Sequence, residues 1–138
     1  MTLTITPRQE ELMTIREMCD TFEVTPRTLR FYEAKELLFP IREGTRRLFT
    51  RRDRARLKLI LRGKRFGFSL EDIRQILDLY EGDGKNEIQT LRTFELAQER
   101  LAQMEAQRAE LTTTIEELKI ELEKGEQIIA QFSHAQAA

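Results

Sequence analysis

The side chains with the plainest chemistry in this chain are arginines spaced to grip a polyanion. In Val24-Thr-Pro-Arg-Thr-Leu-Arg-Phe-Tyr-Glu33, residues Thr25, Arg27, Thr28 and Arg30 fall in the first turns of what reads as a helix. A guanidinium fork can bind guanine O6 and N7 together or clamp a phosphate, and the Tyr32 hydroxyl could donate to a phosphate oxygen. Arg42, Arg46 and Arg47 flank Glu43-Gly44, and Arg62, Lys64 and Arg65 precede Phe66-Gly67. This is chemistry for binding double-stranded DNA rather than for bond making. Residues 1–67 hold 16 Lys+Arg against 9 Asp+Glu, whereas residues 68–138 hold 7 against 15, so a net charge of −1 conceals a basic head on an acidic stalk.

Other chemistries are poorly served. Soft-metal sensing needs several thiolates and iron–sulfur sensing four ligands, but the chain has one cysteine. Cys19 is spaced to pack with Ile15, Met18 and Phe22 as a core residue with a raised thiol pKa. His134, the single histidine, falls in the expected tail. No glycine-rich phosphate loop, nucleophile elbow or zinc spacing occurs, so no cofactor, metal or enzymatic activity is expected. There is no secretory signal pattern and no apolar run near the roughly 20 residues of a membrane span. A cytoplasmic protein is expected.

The elements that must position the arginines are marked by their helix starts. Thr14-Ile-Arg-Glu17, Thr50-Arg-Arg-Asp53, Ser69-Leu-Glu-Asp72 and Asn86-Glu-Ile-Gln89 each pair a capping side chain with an acid or amide three residues on. Thr25-Pro26 adds an N-cap followed by proline at the first helical position. These starts predict helices over 15–22, 26–35, 51–65, 70–80 and 87–131. Ile15, Met18, Cys19 and Phe22 share one face, as do Leu57, Ile60 and Leu61, and Leu70, Ile73, Ile76, Leu77 and Tyr80; in the second helix Leu29 faces inward with Tyr32 or Phe31. Leu38-Phe-Pro-Ile and Arg46-Arg-Leu-Phe flank the Glu43-Gly44 turn and predict a two-stranded hairpin. Helix, three-residue turn (Glu23 to Thr25) and helix follow the order of a helix-turn-helix, whose second helix enters the DNA groove by its N-terminal residues.

From Phe94 a heptad takes over. Phe94, Ala97, Leu101, Met104, Arg108, Leu111, Ile115, Leu118, Leu122, Gly125 and Ile129 alternate at spacings of three and four, and nine of these eleven positions are apolar. Such a seam predicts a dimerising coiled coil over a helix folded back on the head, with Arg108 and Gly125 interrupting it. The expected fold class is mainly α: a winged helix-turn-helix head with a β-hairpin wing, then a long coiled-coil helix. Its expected divisions are a flexible segment 1–13, a DNA-binding domain 14–81, a dimerisation helix 86–131 and a tail 132–138.

Arg30-Phe-Tyr-Glu33, Leu37-Leu-Phe-Pro40, Arg47-Leu-Phe49 and Gly67-Phe-Ser-Leu-Glu-Asp-Ile73 together resemble the MerR family of bacterial transcription regulators. The resemblance is close over residues 14 to 80 and covers the stalk only in kind. It implies a homodimer through an antiparallel coiled coil and two heads on an inverted-repeat operator. It also implies a distorted promoter that RNA polymerase reads. Glu36 stands where many members have a glycine closing the recognition helix, so that end must be capped another way. Arg46 stands where many have tyrosine, a swap that keeps a phosphate donor but alters its reach. Arg54 to Ile73, ending Asp78-Leu-Tyr80, resembles the branch regulating leucine and isovalerate catabolism. A small-molecule effector is left open. The competing reading is an architectural or excisionase-like accessory factor, which shares the winged fold but needs no long seam to set half-site spacing.

Overall fold

The computed structural model describes residues 12–82 and 87–137. Its elements are β1 (Met13–Thr14), α1 (Ile15–Phe22), α2 (Pro26–Ala34), β2 (Ile41–Glu43), β3 (Arg46–Phe49), α3 (Arg51–Phe66), α4 (Leu70–Glu81) and α5 (Glu87–Ala137). The protein is mostly helical with a small antiparallel β-hairpin wing and a long C-terminal helix, as expected. Backbone contacts divide the chain into two units, residues 1–93 and 94–138. Within the first unit, Gln89 Nε2 in the first turn of α5 donates to the Gln75 carbonyl of α4 at 3.2 Å. No helix among the described residues is long and apolar enough to cross a membrane.

Caps placed the helix starts well. Thr14 with Glu17 and Ser69 with Asp72 form complete capping boxes, each side chain accepting from the other residue's backbone N–H. Thr25 Oγ1 accepts from Thr28 N at 3.1 Å, with Pro26 opening the helix. Thr50 caps α3, but the expected box there is only half made: Asp53 is buried and its Oδ1 accepts from Phe39 N at 3.0 Å instead. Asn86 lies outside the described residues.

Several expectations are corrected. The sheet has three strands, in order β1-β3-β2, because Met13 and Thr14 pair antiparallel with Phe49 and Leu48. An N-cap residue is extended by necessity, and Thr14 uses that extended backbone to join the sheet. Met13, the last residue of the expected segment 1–13, is thus paired in the sheet. In the hairpin Ile41, Arg42 and Glu43 oppose Leu48, Arg47 and Arg46. Gly44 has φ 62° while Thr45 keeps negative φ, which suits a two-residue II′ turn. Tyr80, expected inward on α4, is 66% exposed, and Ile76 and Leu61 are only half-buried. The last helix continues past 131 to Ala137, since Gln, Ala and Phe there include no helix breaker, and His134 lies on it.

The core of the head gathers Met18 from α1, Leu29 and Tyr32 from α2, Leu37 and Leu38 from the following loop, Phe49 from β3, Leu57 and Ile60 from α3, and Ile73 and Leu77 from α4. The helices α1 to α4 and strand β3 thus contribute to one packed cluster, whereas β2 is exposed along its length and joins them through its pairing with β3.

Candidate nucleic-acid interface

Glu23 takes a left-handed conformation (φ 55°) at the end of α1, and its N–H bonds to the Cys19 carbonyl. Two residues later Thr25 caps α2, so the chain turns between the helices and the first turn of α2 is exposed at Pro26 and Arg27. Arg27 and Arg30 are exposed there, and among the described residues neither has an ion-pair partner. Thr25 and Thr28 are tied to each other, hydroxyl to hydroxyl at 2.9 Å. They hold the helix start and offer fewer free groups than expected.

Tyr32 is corrected. One helical step after Leu29, it shares that buried face, and its ring is 4% exposed against 46% for Phe31. Burial also raises its phenol pKa. Tyr32 is a core residue rather than a phosphate donor at the surface, and Lys35 Nζ sits 5.7 Å over the exposed Phe31 ring.

The wing arginines divide into two groups. Glu33, at the end of α2, accepts from Arg47 Nε at 2.5 Å and from Arg42 Nη1 at 3.1 Å. Partial burial pushes the Glu33 carboxyl up, but hydrogen bonds and charge from Arg47 and Arg42 outweigh it and leave the pKa below its ordinary value. Arg42 and Arg47 therefore clamp the wing to α2 before any ligand arrives. Arg46, opposite Glu43 in the register, is exposed with no ion pair among the described residues. Arg47, expected to be the surer backbone contact of the two, is thus the one held in an ion pair.

Arg62, Lys64 and Arg65 are exposed near the end of α3. Lys58, Arg62 and Arg65 recur at spacings of four and three, so they share one face. Lys58 is exposed as well. The α3 end closes on Gly67 at φ 85°, whose N–H bonds back to Gly63 and Lys64 carbonyls, and the cationic last turn suits the helix dipole.

A second polar group supports this surface from inside. Arg56 Nε donates to the Leu37 carbonyl at 2.7 Å, and Arg56 and Arg52 both pair with Glu81. Arg52 and Arg56 lie 5.9 and 5.2 Å from the Phe39 ring. Asp53, beneath them, has its pKa raised by burial, and its Oδ2 is buried without a partner. Asp53 and Phe39 border a hollow of about 410 Å³. Cys19 packs half-buried against the core, and burial followed by the Asp20 charge raises its thiol pKa. Among the described residues no group of three or more His, Cys, Asp or Glu could share a metal ion.

Comparison with known proteins agrees with this surface. The family described as "MerR HTH family regulatory protein" matches residues 13–79, and "MerR, DNA binding" matches residues 54–119. The HTH-type transcriptional regulator ZntR of Escherichia coli K12 is 39% identical over 99 residues, spanning 70% of this chain and 69% of that protein. The same protein of E. coli O157:H7 matches equally. A MerR family transcriptional regulator from Bacillus cereus is similar in structure with a TM-score of 0.61 at 31% identity, covering 77% of this chain and 78% of that one. HiNmlR, a MerR family regulator lacking the sensor domain and crystallised bound to promoter DNA, gives 0.57 at 27% identity, covering 76% and 79%.

Proposed function

Because this chain belongs to the MerR family of DNA-binding transcription regulators, and is not an enzyme, we propose that it works as a homodimer on an inverted-repeat operator. The observation that carries the reading is the pair of exposed, unpaired arginines, Arg27 and Arg30, on the first turns of a capped helix beside a wing that offers Arg46. Arg27 and Arg30 enter the major groove, while Thr25 and Thr28 hold that helix start. Arg46 meets the adjacent phosphates, with Arg42 and Arg47 behind it as the wing's anchor. Arg62, Lys64 and Arg65 supply a second basic flank. The heptad of α5 joins two chains through an antiparallel coiled coil, which fixes the half-site spacing. Distortion of the promoter between the half-sites is what RNA polymerase then reads. The stretch Arg54 to Tyr80 supports target genes of branched-chain amino acid or acyl-CoA catabolism.

Footprinting upstream of the gene itself and of its neighbours would locate the operator. On that duplex Arg46→Ala should weaken all sequences alike and flatten the salt slope by about one unit, as loss of one phosphate contact does. Arg30→Ala should cost about 1–3 kcal/mol and relax base preference if it reads an edge. Both variants should melt like wild type, since neither side chain is paired. Undiminished binding by the double variant would overturn the assignment.

A further inference from the structure

We propose that Arg74 is a positioning residue for DNA reading: from α4 it closes the C-terminal end of α2 and so sets how that helix presents Arg27 and Arg30. The inference rests on the DNA-reading role of α2 given above. A helix ends with carbonyls that have no partner within it, and glycine in a left-handed conformation is the commonest closure. Here the left-handed position is Glu36, at φ 58°, a conformation that a side chain disfavours. Arg74 crosses from another element to hold it, with Nη2 donating to the Lys35 carbonyl at 2.5 Å and Nη1 to the Glu36 carbonyl at 3.2 Å.

The guanidinium suits the place twice over. Its planar fork meets two successive carbonyls, and its charge complements the negative end of the helix dipole. It is held in turn by its own helix, because the neighbouring Ile73 is buried and packs so closely on α3 that a Cβ at Gly63 would lie 2.7 Å from Ile73 Cγ1. Glu71 lies 3.9 Å from Arg74 Nε and steadies the same group. The end of the reading helix is thus referenced to a helix that carries no groove-facing role. Leu37 and Leu38 donate to the Tyr32 carbonyl just beyond, so a shift in this turn would be felt directly in the core and along α2. A reading helix displaced by a fraction of an ångström to an ångström loses the geometry that bidentate base contacts require.

The test uses the full-length protein and a duplex selected by the wild type from a random library. Arg74→Met keeps the apolar stem and removes the donors. It should lower affinity for the selected duplex about tenfold, the scale of one charge-assisted hydrogen bond. Affinity for a scrambled duplex and the salt slope should not move, which separates positioning from phosphate contact. Arg74→Lys should recover part of the loss, and Glu36→Gly in the Arg74→Met background should recover most of it, because glycine closes the helix unaided. Should Arg74→Met fail to fold, the Lys variant and the double variant carry the same comparison. Equal affinity in wild type and Arg74→Met, a salt slope flattened by about one unit, or no recovery with Glu36→Gly would each overturn the inference. A wild type that selects no sequence would instead sink the DNA reading itself.

Discussion

Glu33 holds two guanidinium groups at once, and that single carboxylate ties both strands of the hairpin to the end of α2. Its partners lie 9 and 14 residues away, so no local pattern announced the clamp, even though Glu33 stands in the Arg-Phe-Tyr-Glu motif. Arg74 was equally hidden, because its carbonyl partners are 38 and 39 residues distant. Arg27 and Arg30 were legible, since a capped helix start and its first turns are local features. Glu33→Gln keeps the shape and removes the charge, and should cost about 1 kcal/mol in urea unfolding at neutral pH. The pH dependence fixes the sign. The folded carboxyl titrates below its ordinary value of 4.5, so its stabilisation is complete above that value and is lost as pH falls through the folded pKa. The gap between wild type and Glu33→Gln should therefore be constant from pH 5 to 8 and close under more acidic conditions. A gap that widens on acidification would show that the charge is not what holds the wing.

Helix boundaries could be read from the sequence because caps act over three residues, whereas a side chain's burial depends on elements that arrive from elsewhere. Tyr80 fits the apolar period of α4, yet it is exposed, with no element among the described residues covering that turn. Asp53 has the spacing of a capping box, but the loop carrying Phe39 claims its carboxylate. Gly63 is the converse case, a residue with no signal of its own that sets the α3–α4 distance. Alanine is intrinsically better than glycine in a helix by about 1 kcal/mol. At Gly63 the added methyl would instead meet Ile73 Cγ1 at 2.7 Å, inside the core, and such overpacking costs about 1–3 kcal/mol. Gly63→Ala should therefore be net destabilising, by up to about 2 kcal/mol. Gly125→Ala, on open helix surface in the single chain, should be neutral or stabilising. Urea midpoints of the two variants check this directly, and an equal response at both positions would remove the close α3–α4 approach from the account.

At the scale of the whole molecule, the long helix is the element whose sequence pattern asks for a partner. Leu111 and Ile115 are 59% and 44% exposed, in the middle of a seam that also leaves Phe94, Leu101, Met104, Leu118, Leu122 and Ile129 exposed. The period of 3.5 residues was readable because it is carried by adjacent turns of one element. Thr112, Thr113 and Thr114 bond back to the carbonyls of Arg108, Ala109 and Glu110, so their hydroxyls are satisfied within the helix. What remains exposed there is apolar area, which is the surface the proposed dimer would bury against a second copy of the same seam. Leu111→Lys places a charge at the centre of that seam beside Arg108, where burial without a counter-ion is far costlier than a lost methyl group. The variant should sediment as a monomer while the head keeps its melting behaviour, since Leu111 lies in the second unit and none of the head's core residues is changed. Operator binding should fall by about 10²–10⁴, the advantage that tethering two half-site contacts provides. A Leu111→Lys protein that still sediments as a dimer would put the interface elsewhere, and with it the spacing of the half-sites.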